Sequence, residues 1–148
     1  MKNHFAALLL HVFFILLINN VRAQTNVADN NAAVSLASNA IFFVPGIVQI
    51  SGAANILNNG NFYVGGDFTN NGGGLKAAGT GTVIFNGSAN QNINGTNPTV
   101  FFDVIKSTNN SVIIALDETI NNKLTLTTGL IIKLIILILI LIMKRMRP

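Results

Sequence analysis

The middle of the chain consists of short runs of β-branched and aromatic residues separated by clusters of Asn and Gly. The runs lie at residues 62–64, 67–69, 82–85, 100–102, 104–105, 112–114 and 124–126. Turn clusters at a spacing of about 8 to 12 residues are typical of an all-β fold with short strands. The pattern predicts either a parallel β-helix or an antiparallel β-sandwich. Phe85, Ile105 and Ile114 occupy central positions in their runs and are expected to face the core.

Asparagine doublets favour the parallel β-helix over the antiparallel β-sandwich. Asn accounts for 22 of the 148 residues, and doublets begin at Asn58, Asn70, Asn109 and Asn121. The first two doublets and the last two are each 12 residues apart. A fixed offset is expected where equivalent corners stack from one coil to the next. We therefore expect a β-solenoid of about five coils, with Asn side chains stacked as amide ladders along its corners.

The first 23 residues have the pattern of a secretory signal peptide. Lys2 precedes an apolar run at residues 5–18, and Val21 and Ala23 occupy the −3 and −1 positions of a cleavage site. This run is shorter than the roughly 20 residues that span a bilayer. We expect a mature chain that begins at Gln24 and a secreted, extracellular or cell-surface location.

Residues 130–148 form an apolar tail of Ile and Leu that ends in a basic cluster. Basic residues after an apolar run fit the positive-inside rule for a membrane anchor, which would give membrane contact through this tail. The apolar stretch is short for a span, and Lys133 within it is costly. An out-of-frame reading of AT-rich coding sequence would also produce such a two-residue alphabet. Both interpretations stay open.

These patterns divide the chain into four parts. They are a signal peptide at 1–23, an N-terminal cap or leading segment at 24–50, a solenoid repeat region at 51–129 and the tail at 130–148. The apolar segments at both termini are expected to be helical and to flank the β region. Residues 30–40 are compatible with one or two further helical turns, which would cap the first coil.

Charge along the chain differs from the overall net charge of +4. Residues 24–129 contain three Lys, five acidic residues and no Arg. A phosphate-binding face needs several clustered cations, so we expect no nucleic-acid partner. Lys106 and Lys123 lie beside strand-like runs and are expected to protect exposed strand edges.

The residue types exclude most catalytic and metal chemistry from residues 24–129. Both histidines precede this region and the chain has no Cys, which excludes Ser-His-Asp and Cys-His catalysis and His or Cys zinc sites. Asp103 and Asp117 are the only candidate pair for glycoside hydrolysis, but nothing in the sequence fixes their separation. Asp67 supplies one carboxylate to a Gly-rich segment, too few for Ca²⁺. We therefore predict a non-enzyme with no catalytic residues, metal site or cofactor.

Four segments, taken in order, carry a family resemblance. They are GNFYVGGDFTNNG at 60–72, GTGTVIFNG at 79–87, QNING at 91–95 and KLTLTTGL at 123–130. Together they resemble the repeat regions of large exported surface proteins of Bacteroidota-type bacteria. The resemblance implies a right-handed parallel β-helix, an adhesin-like stalk and export through a Sec signal followed by type IX secretion. Such relatives are usually longer and end in a sorting domain that is not visible here, so a fragment is expected.

The expected function is that of an exported structural or adhesin-like protein without catalysis. Its expected partners are cell-surface glycans or other surface proteins. Two alternatives stay open. One is a single-pass membrane-anchored surface protein, and the other is a fragment of a polysaccharide-binding or polysaccharide-active β-helix.

Overall fold

The computed structural model describes residues 24–28, 31–75 and 79–133, and every regular element in these ranges is a β-strand. The strands are β1 (Gln24–Ala28), β2 (Ala33–Leu36), β3 (Ile41–Val44), β4 (Ile47–Ser51), β5 (Asn55–Asn58), β6 (Asn61–Val64), β7 (Phe68–Asn71), β8 (Gly74–Leu75), β9 (Thr82–Phe85), β10 (Gln91–Gly95), β11 (Val100–Lys106), β12 (Ser111–Ile114), β13 (Thr119–Leu126) and β14 (Leu130–Lys133). The predicted all-β class is confirmed.

The strands form three parallel sheets. Sheet A contains β1, β4, β7, β10, β12 and β14, sheet B contains β2, β5 and β8, and sheet C contains β3, β6, β9, β11 and β13. The chain visits sheets A, B and C in turn for three circuits and then alternates between A and C. Every pairing is parallel. Parallel pairing requires the chain to leave a sheet and come back so that the next strand of that sheet starts at the same end. The described residues therefore form a β-solenoid of about five coils, and the antiparallel sandwich alternative is wrong.

The length of one coil differs from the 12-residue offset of the Asn doublets. In sheet A, Val48 pairs with Phe68, twenty residues later in the sequence. In sheet C, Phe62 pairs with Val83, twenty-one residues later. Residues 12 apart therefore lie on different sheets, as Asn58 in β5 and Asn70 in β7 do. The interpretation of the 12-residue offset as equivalent stacked corners is wrong, because the repeating unit is a whole circuit.

Apolar side chains stack in columns inside the solenoid. Alternate residues of β4, β5 and β6 are buried, as expected for strands with one face toward a core. Val44, Val64 and Phe85 occupy successive positions of one column in sheet C. Each such side chain is worth roughly 1.5–3 kcal/mol when fully buried. Because each one packs mainly against the coils above and below, the core is continuous along the solenoid axis.

Three phenylalanines join sheets A and C in the middle of the core. Phe68, Phe85 and Phe101 are fully buried, and their ring centroids lie 5.7 to 6.5 Å apart in tilted or edge-on arrangements. Such pairs contribute about 0.5–1.5 kcal/mol beyond the area that they bury. The expectation that Phe85 faces the core is confirmed.

Strand β11 changes phase along its length, and this reverses the expectation for two of its residues. Phe101 and Val104 are both buried although they are three residues apart, and the register against β13 shifts between Phe101 and Asp103. Beyond this irregularity Val104 and Lys106 face inward, and Ile105 faces outward and is half-buried. The expectation that Ile105 is a core residue is wrong, because a bulge exchanges the inner and outer faces of a strand.

Lys106 continues the core column of sheet C. It pairs with Phe85 on one side and Leu126 on the other, and its side chain is fully buried. The Nζ atom donates hydrogen bonds to the carbonyl oxygen of Thr108, at 2.8 Å, and to the Thr108 hydroxyl. Burial lowers the pKa of the Lys106 ammonium. The expectation that Lys106 protects a strand edge is therefore wrong.

Two segments expected to lie outside the repeat belong to the solenoid. Residues 33–36, within the segment considered compatible with helical turns, form β2 and pair in parallel with β5. That helical interpretation is wrong. Residues 130–133, the first four of the apolar tail, form β14 and pair with β12. The remaining expected helical segments, at 1–23 and 134–148, lie outside the described residues. Within the described ranges, no helix is long and apolar enough to cross a membrane.

The inward position of Phe85 and the outward position of Ile105 can be tested by substitution. Phe85→Ala should lower the free energy of unfolding by about 3–5 kcal/mol, because it leaves a cavity between Phe68 and Phe101. Ile105→Ala should cost about 1 kcal/mol or less, because its side chain lies on the outer face. Thermal unfolding followed by circular dichroism measures both. A loss in Ile105→Ala as large as in Phe85→Ala would contradict the observed phase.

Candidate functional site at a braced corner

A groove lies at the corner where the chain passes from sheet C to sheet A. This corner is formed by residues 45–46 in the first coil, 65–67 in the second and 86–90 in the third. The third turn is longer, and its residues form one side of a groove of about 510 Å³. The groove is lined by Pro45, Gly46, Ile47, Gly65, Gly66, Asp67, Ser88, Ala89, Asn90 and Asn92. Since the lining comes from three successive coils, the groove depends on their stacking.

Glycine is required at the floor of this groove. A Cβ atom on Gly65 would lie 2.5 Å from the carbonyl oxygen of Pro45, and one on Gly66 would lie 2.6 Å from the carbonyl group of Gly46. Both contacts are with backbone atoms of the preceding coil, which cannot move without separating the coils. The floor is therefore bare backbone.

Asp67 ties the second coil to the third at the edge of the groove. Its Oδ1 atom accepts hydrogen bonds from the backbone nitrogen of Asn92 at 2.7 Å and from Asn92 Nδ2 at 3.2 Å. A charged acceptor makes these bonds stronger than neutral ones. Asp67 thus links adjacent coils, and its carboxylate, the one acidic group of the Gly-rich segment, is an acceptor of structural hydrogen bonds.

Gln91 fixes the base of the long turn. Its side chain is almost fully buried, and Nε2 donates to the carbonyl oxygens of Val64 at 2.9 Å and Gly66 at 2.6 Å. Its Oε1 atom accepts the backbone N–H of Gly87 at 2.9 Å. All these bonds join the 86–90 turn to the preceding coil or to itself. The wall of the groove is therefore preorganised.

The two Asn-Asn-Gly corners use the first Asn of each doublet in the same way. Asn58 and Asn70 are buried, and their Oδ1 atoms accept the backbone N–H groups of Gly60 and Gly72, each at 3.1 Å. The Nδ2 atom of each donates to a carbonyl oxygen of a later turn or strand, that of Thr82 for Asn58 and that of Pro98 for Asn70. Each first Asn is thus an internal brace between coils.

The second Asn of each doublet points outward and also reaches the next coil. Asn59 Oδ1 accepts the backbone N–H of Thr80 at 3.1 Å. Asn71 Oδ1 accepts the backbone N–H of Thr96 at 3.0 Å. The amide groups of these doublets therefore bond to backbone groups of the following coil. The expected side-chain ladders are not formed by the 58–59 and 70–71 doublets, because the two doublets lie on different sheets.

Asp103 and Asp117, the candidate catalytic pair, lie in different surroundings. Asp103 accepts a hydrogen bond from Asn122 Nδ2 at 2.8 Å, and Asp117 forms an ion pair with Lys133. Asp103 pairs with Lys123 of β13, whereas Asp117 precedes that strand. At the ~3.3 Å rise per residue of a parallel strand, the start of β13 lies about 13 Å from Lys123. The structure therefore assigns the two carboxylates separate structural partners.

Glu118 is the most perturbed acid among the described residues. Its Oε2 atom accepts the backbone N–H of Thr99, while Oε1 is buried without a hydrogen-bond partner within the described ranges. Burial raises the pKa of the Glu118 carboxyl, the bond from Thr99 opposes this, and the charge of Asp117 adds to the rise. In the part of the chain that the structure describes, no three His, Cys, Asp or Glu side chains are grouped as metal ligands.

Comparison of the chain with protein-family models, curated proteins and solved structures found no match in any of the three. The class of protein therefore follows from the fold alone. The parallel registers, the circuit of about twenty residues and the braced corners define a β-solenoid repeat protein.

Sequence reasoning missed the residues that build the groove. Gln91 and Asn92 lie in a segment that the sequence analysis singles out only for its resemblance to a repeat motif, and their partners in the preceding coil are 25 to 27 residues away. One signal in the sequence for these residues is the interval that contains residues 86–90, which separates its flanking runs by more residues than the other intervals do. Without the coil length, that interval indicates a turn and not the wall of a groove.

The surroundings of Glu118 predict a specific pH dependence. The pKa of the Glu118 carboxyl in the folded state is raised above the unfolded value of 4.5. Between these two pKa values the folded state binds more protons than the unfolded state, so the contribution of protonated Glu118 to stability is lost as pH rises through the folded pKa. Glu118→Gln keeps an acceptor for Thr99 and removes the charge. It should raise the melting temperature relative to wild type more at pH 7 than at pH 4.

Glu118→Ala is the matched control for this experiment. It removes the charge but leaves the Thr99 N–H without its acceptor, so it should be less stable than Glu118→Gln at both pH values. Equal differences between Glu118→Gln and wild type at the two pH values would show that burial does not perturb this carboxyl.

Proposed function

We propose that the chain is a non-catalytic structural segment of an exported surface or adhesin-like protein. The observation that carries the proposal is the bonding of corner side chains between coils, as at Asn58, Asn70 and Gln91. Through these bonds, the buried amide side chains hold adjacent coils in register. A stalk needs this property, because force or thermal motion that separates two adjacent coils exposes the apolar side chains that pack between them.

The positions of the acids support a role without catalysis. Asp67, Asp103 and Asp117 are each bonded to a different residue, and these partners lie in three different strands, β10, β13 and β14. General acid–base catalysis on a glycan needs two carboxylates that face one substrate. The structural partners of these acids favour a scaffold over a polysaccharide-active enzyme.

Export is supported by the sequence of residues 1–23. The apolar run and the small residue at Ala23 have the form of a signal peptide, and the family resemblance adds type IX secretion to the Sec step. We place the mature protein outside the cell or on its surface. The first residues of the apolar tail continue the solenoid as β14, so membrane contact by this tail would begin after Lys133.

Cleavage of the signal peptide tests export. Expression of the full chain in a Gram-negative host should give a processed protein outside the cytoplasm, with an N-terminus at Gln24 by sequencing. Replacing both Leu9 and Leu16 by Arg should leave the uncleaved chain in the cytoplasm, because it destroys the apolar run. The double replacement by Ile is the matched control and should be processed. Exported protein that retains Met1 would contradict the signal assignment.

Glycan binding is a second candidate function, and the groove favours it. Asp67, Asn90 and Asn92 place carboxylate and amide groups beside the apolar surfaces of Pro45 and Ile47. Ligand sites commonly combine an apolar surface with a few fixed polar groups, and hydroxyl-rich sugars both donate to carboxylates and accept from amides. A neutral glycan is the ligand class that suits this combination, since cations are not among the lining residues.

Binding to an array of neutral oligosaccharides tests this candidate. If the groove binds glycans, Ala89→Trp should weaken binding to the best array ligand by at least about tenfold, because the indole fills the groove. Thr128→Trp places the same bulk on the equivalent corner two coils away and should leave binding unchanged. Absence of binding to every array member, or equal loss in both variants, would remove the groove as a glycan site.

A further inference from the structure

Three of the corners described above contain the sequence Asn-Gly, which is prone to a spontaneous reaction. The backbone nitrogen of Gly loses its proton and attacks Cγ of the preceding Asn, and the Cγ–Nδ2 bond breaks as Nδ2 takes up a proton and leaves as ammonia. Water then opens the resulting five-membered imide at either carbonyl, giving aspartate or isoaspartate. Glycine favours the attack because it has no side chain to obstruct it. These three sequences begin at Asn59, Asn71 and Asn86, and a fourth Asn-Gly sequence, at Asn94, ends strand β10.

In each of these three corners, a buried side-chain oxygen holds the N–H group that would have to attack. Gly60 N donates to Asn58 Oδ1 and Gly72 N donates to Asn70 Oδ1, both at 3.1 Å. Gly87 N donates to Gln91 Oε1 at 2.9 Å. We propose that Asn58, Asn70 and Gln91 protect the Asn-Gly sequences at Asn59, Asn71 and Asn86, respectively, from deamidation. These three asparagines are then latent modification sites, which react only when their corner opens.

The protecting side chains are themselves immobilised, which is what makes them effective. Asn58, Asn70 and Gln91 are each at least nine-tenths buried. Their amide nitrogens donate to carbonyl oxygens of other turns and strands, so the oxygens cannot rotate away from the glycine. Rotation of any of these side chains away from the glycine N–H would therefore also break its hydrogen bonds to another coil.

The three bonds differ in how many contacts hold the reacting Asn. The Oδ1 atoms of Asn59 and Asn71 accept N–H groups from the next coil, which orients their side chains. The Oδ1 atom of Asn86 is buried and has no hydrogen-bond partner within the described ranges. The Asn86-Gly87 bond therefore depends most on a single acceptor, Gln91, and provides the sharpest test.

Peptide mapping by mass spectrometry measures deamidation at each site in the full chain. After incubation in mildly alkaline buffer, Asn86 in the folded protein should react at least about tenfold more slowly than in guanidinium, because reaction requires local opening. Gln91→Met removes the acceptor and should restore most of the denatured rate at Asn86. Asn59 and Asn71 in the same molecules are internal controls and should stay protected.

Gln91→Glu separates protection from general stability. It places a carboxylate beside the carbonyl oxygens of Val64 and Gly66, so it should lower the melting temperature, yet it keeps an acceptor for Gly87 N and should keep Asn86 slow. A folded wild-type protein that deamidates at Asn86 as fast as the denatured chain would overturn the proposal. So would fast reaction at Asn86 in folded Gln91→Glu, or an equal rise at all three sites in Gln91→Met.

Discussion

The close approach of successive backbones is the constraint on which the rest of this structure depends. Parallel strands lie about 4.8 Å apart, so each corner must pass directly over the corner of the preceding coil. At Gly60 a Cβ atom would lie 2.4 Å from the carbonyl oxygen of Ala40, and at Gly65 it would lie 2.5 Å from that of Pro45. The corners therefore use bare backbone, and the side chains beside them must satisfy the polar groups that the corner exposes.

The amide side chains meet this requirement and also determine what the corners can do. Asn58, Asn70 and Gln91 each accept a backbone N–H group within a turn and donate to a carbonyl group of another coil. A buried polar group left unpaired costs about 1–3 kcal/mol, so these residues stabilise mainly by leaving few such groups. The same bonds fix the wall of the groove and hold the glycine N–H groups. The register of the coils, the shape of the groove and the proposed protection of the Asn-Gly bonds thus depend on the same side chains.

The change from three sheets to two divides the solenoid into regions with different features. Sheet B ends at β8, and the later coils pass directly between sheets A and C. The groove lies beside the three-sheet coils, whereas Lys106 and Glu118 lie in the two-sheet coils. There Lys106 occupies a core column, and one Glu118 carboxyl oxygen is buried with no hydrogen-bond partner among the described residues. The proposed stalk role would use the whole length of the solenoid, whereas the proposed glycan binding would be confined to the corner with the long turn.

The sequence by itself determined the β class, the places of most turns and the exclusion of His and Cys chemistry from the described region. These properties depend on local residue types, such as the β-branched run at 82–85 and the glycines beside it. Only the tertiary structure decided the circuit of about twenty residues, the inward position of Lys106 and the outward position of Ile105. The physical reason is that a strand's phase is set by the strand beside it, which belongs to another coil. The role of Gln91 depends on the tertiary structure in the same way, because the carbonyl groups of Val64 and Gly66 lie beside it only when the coils stack.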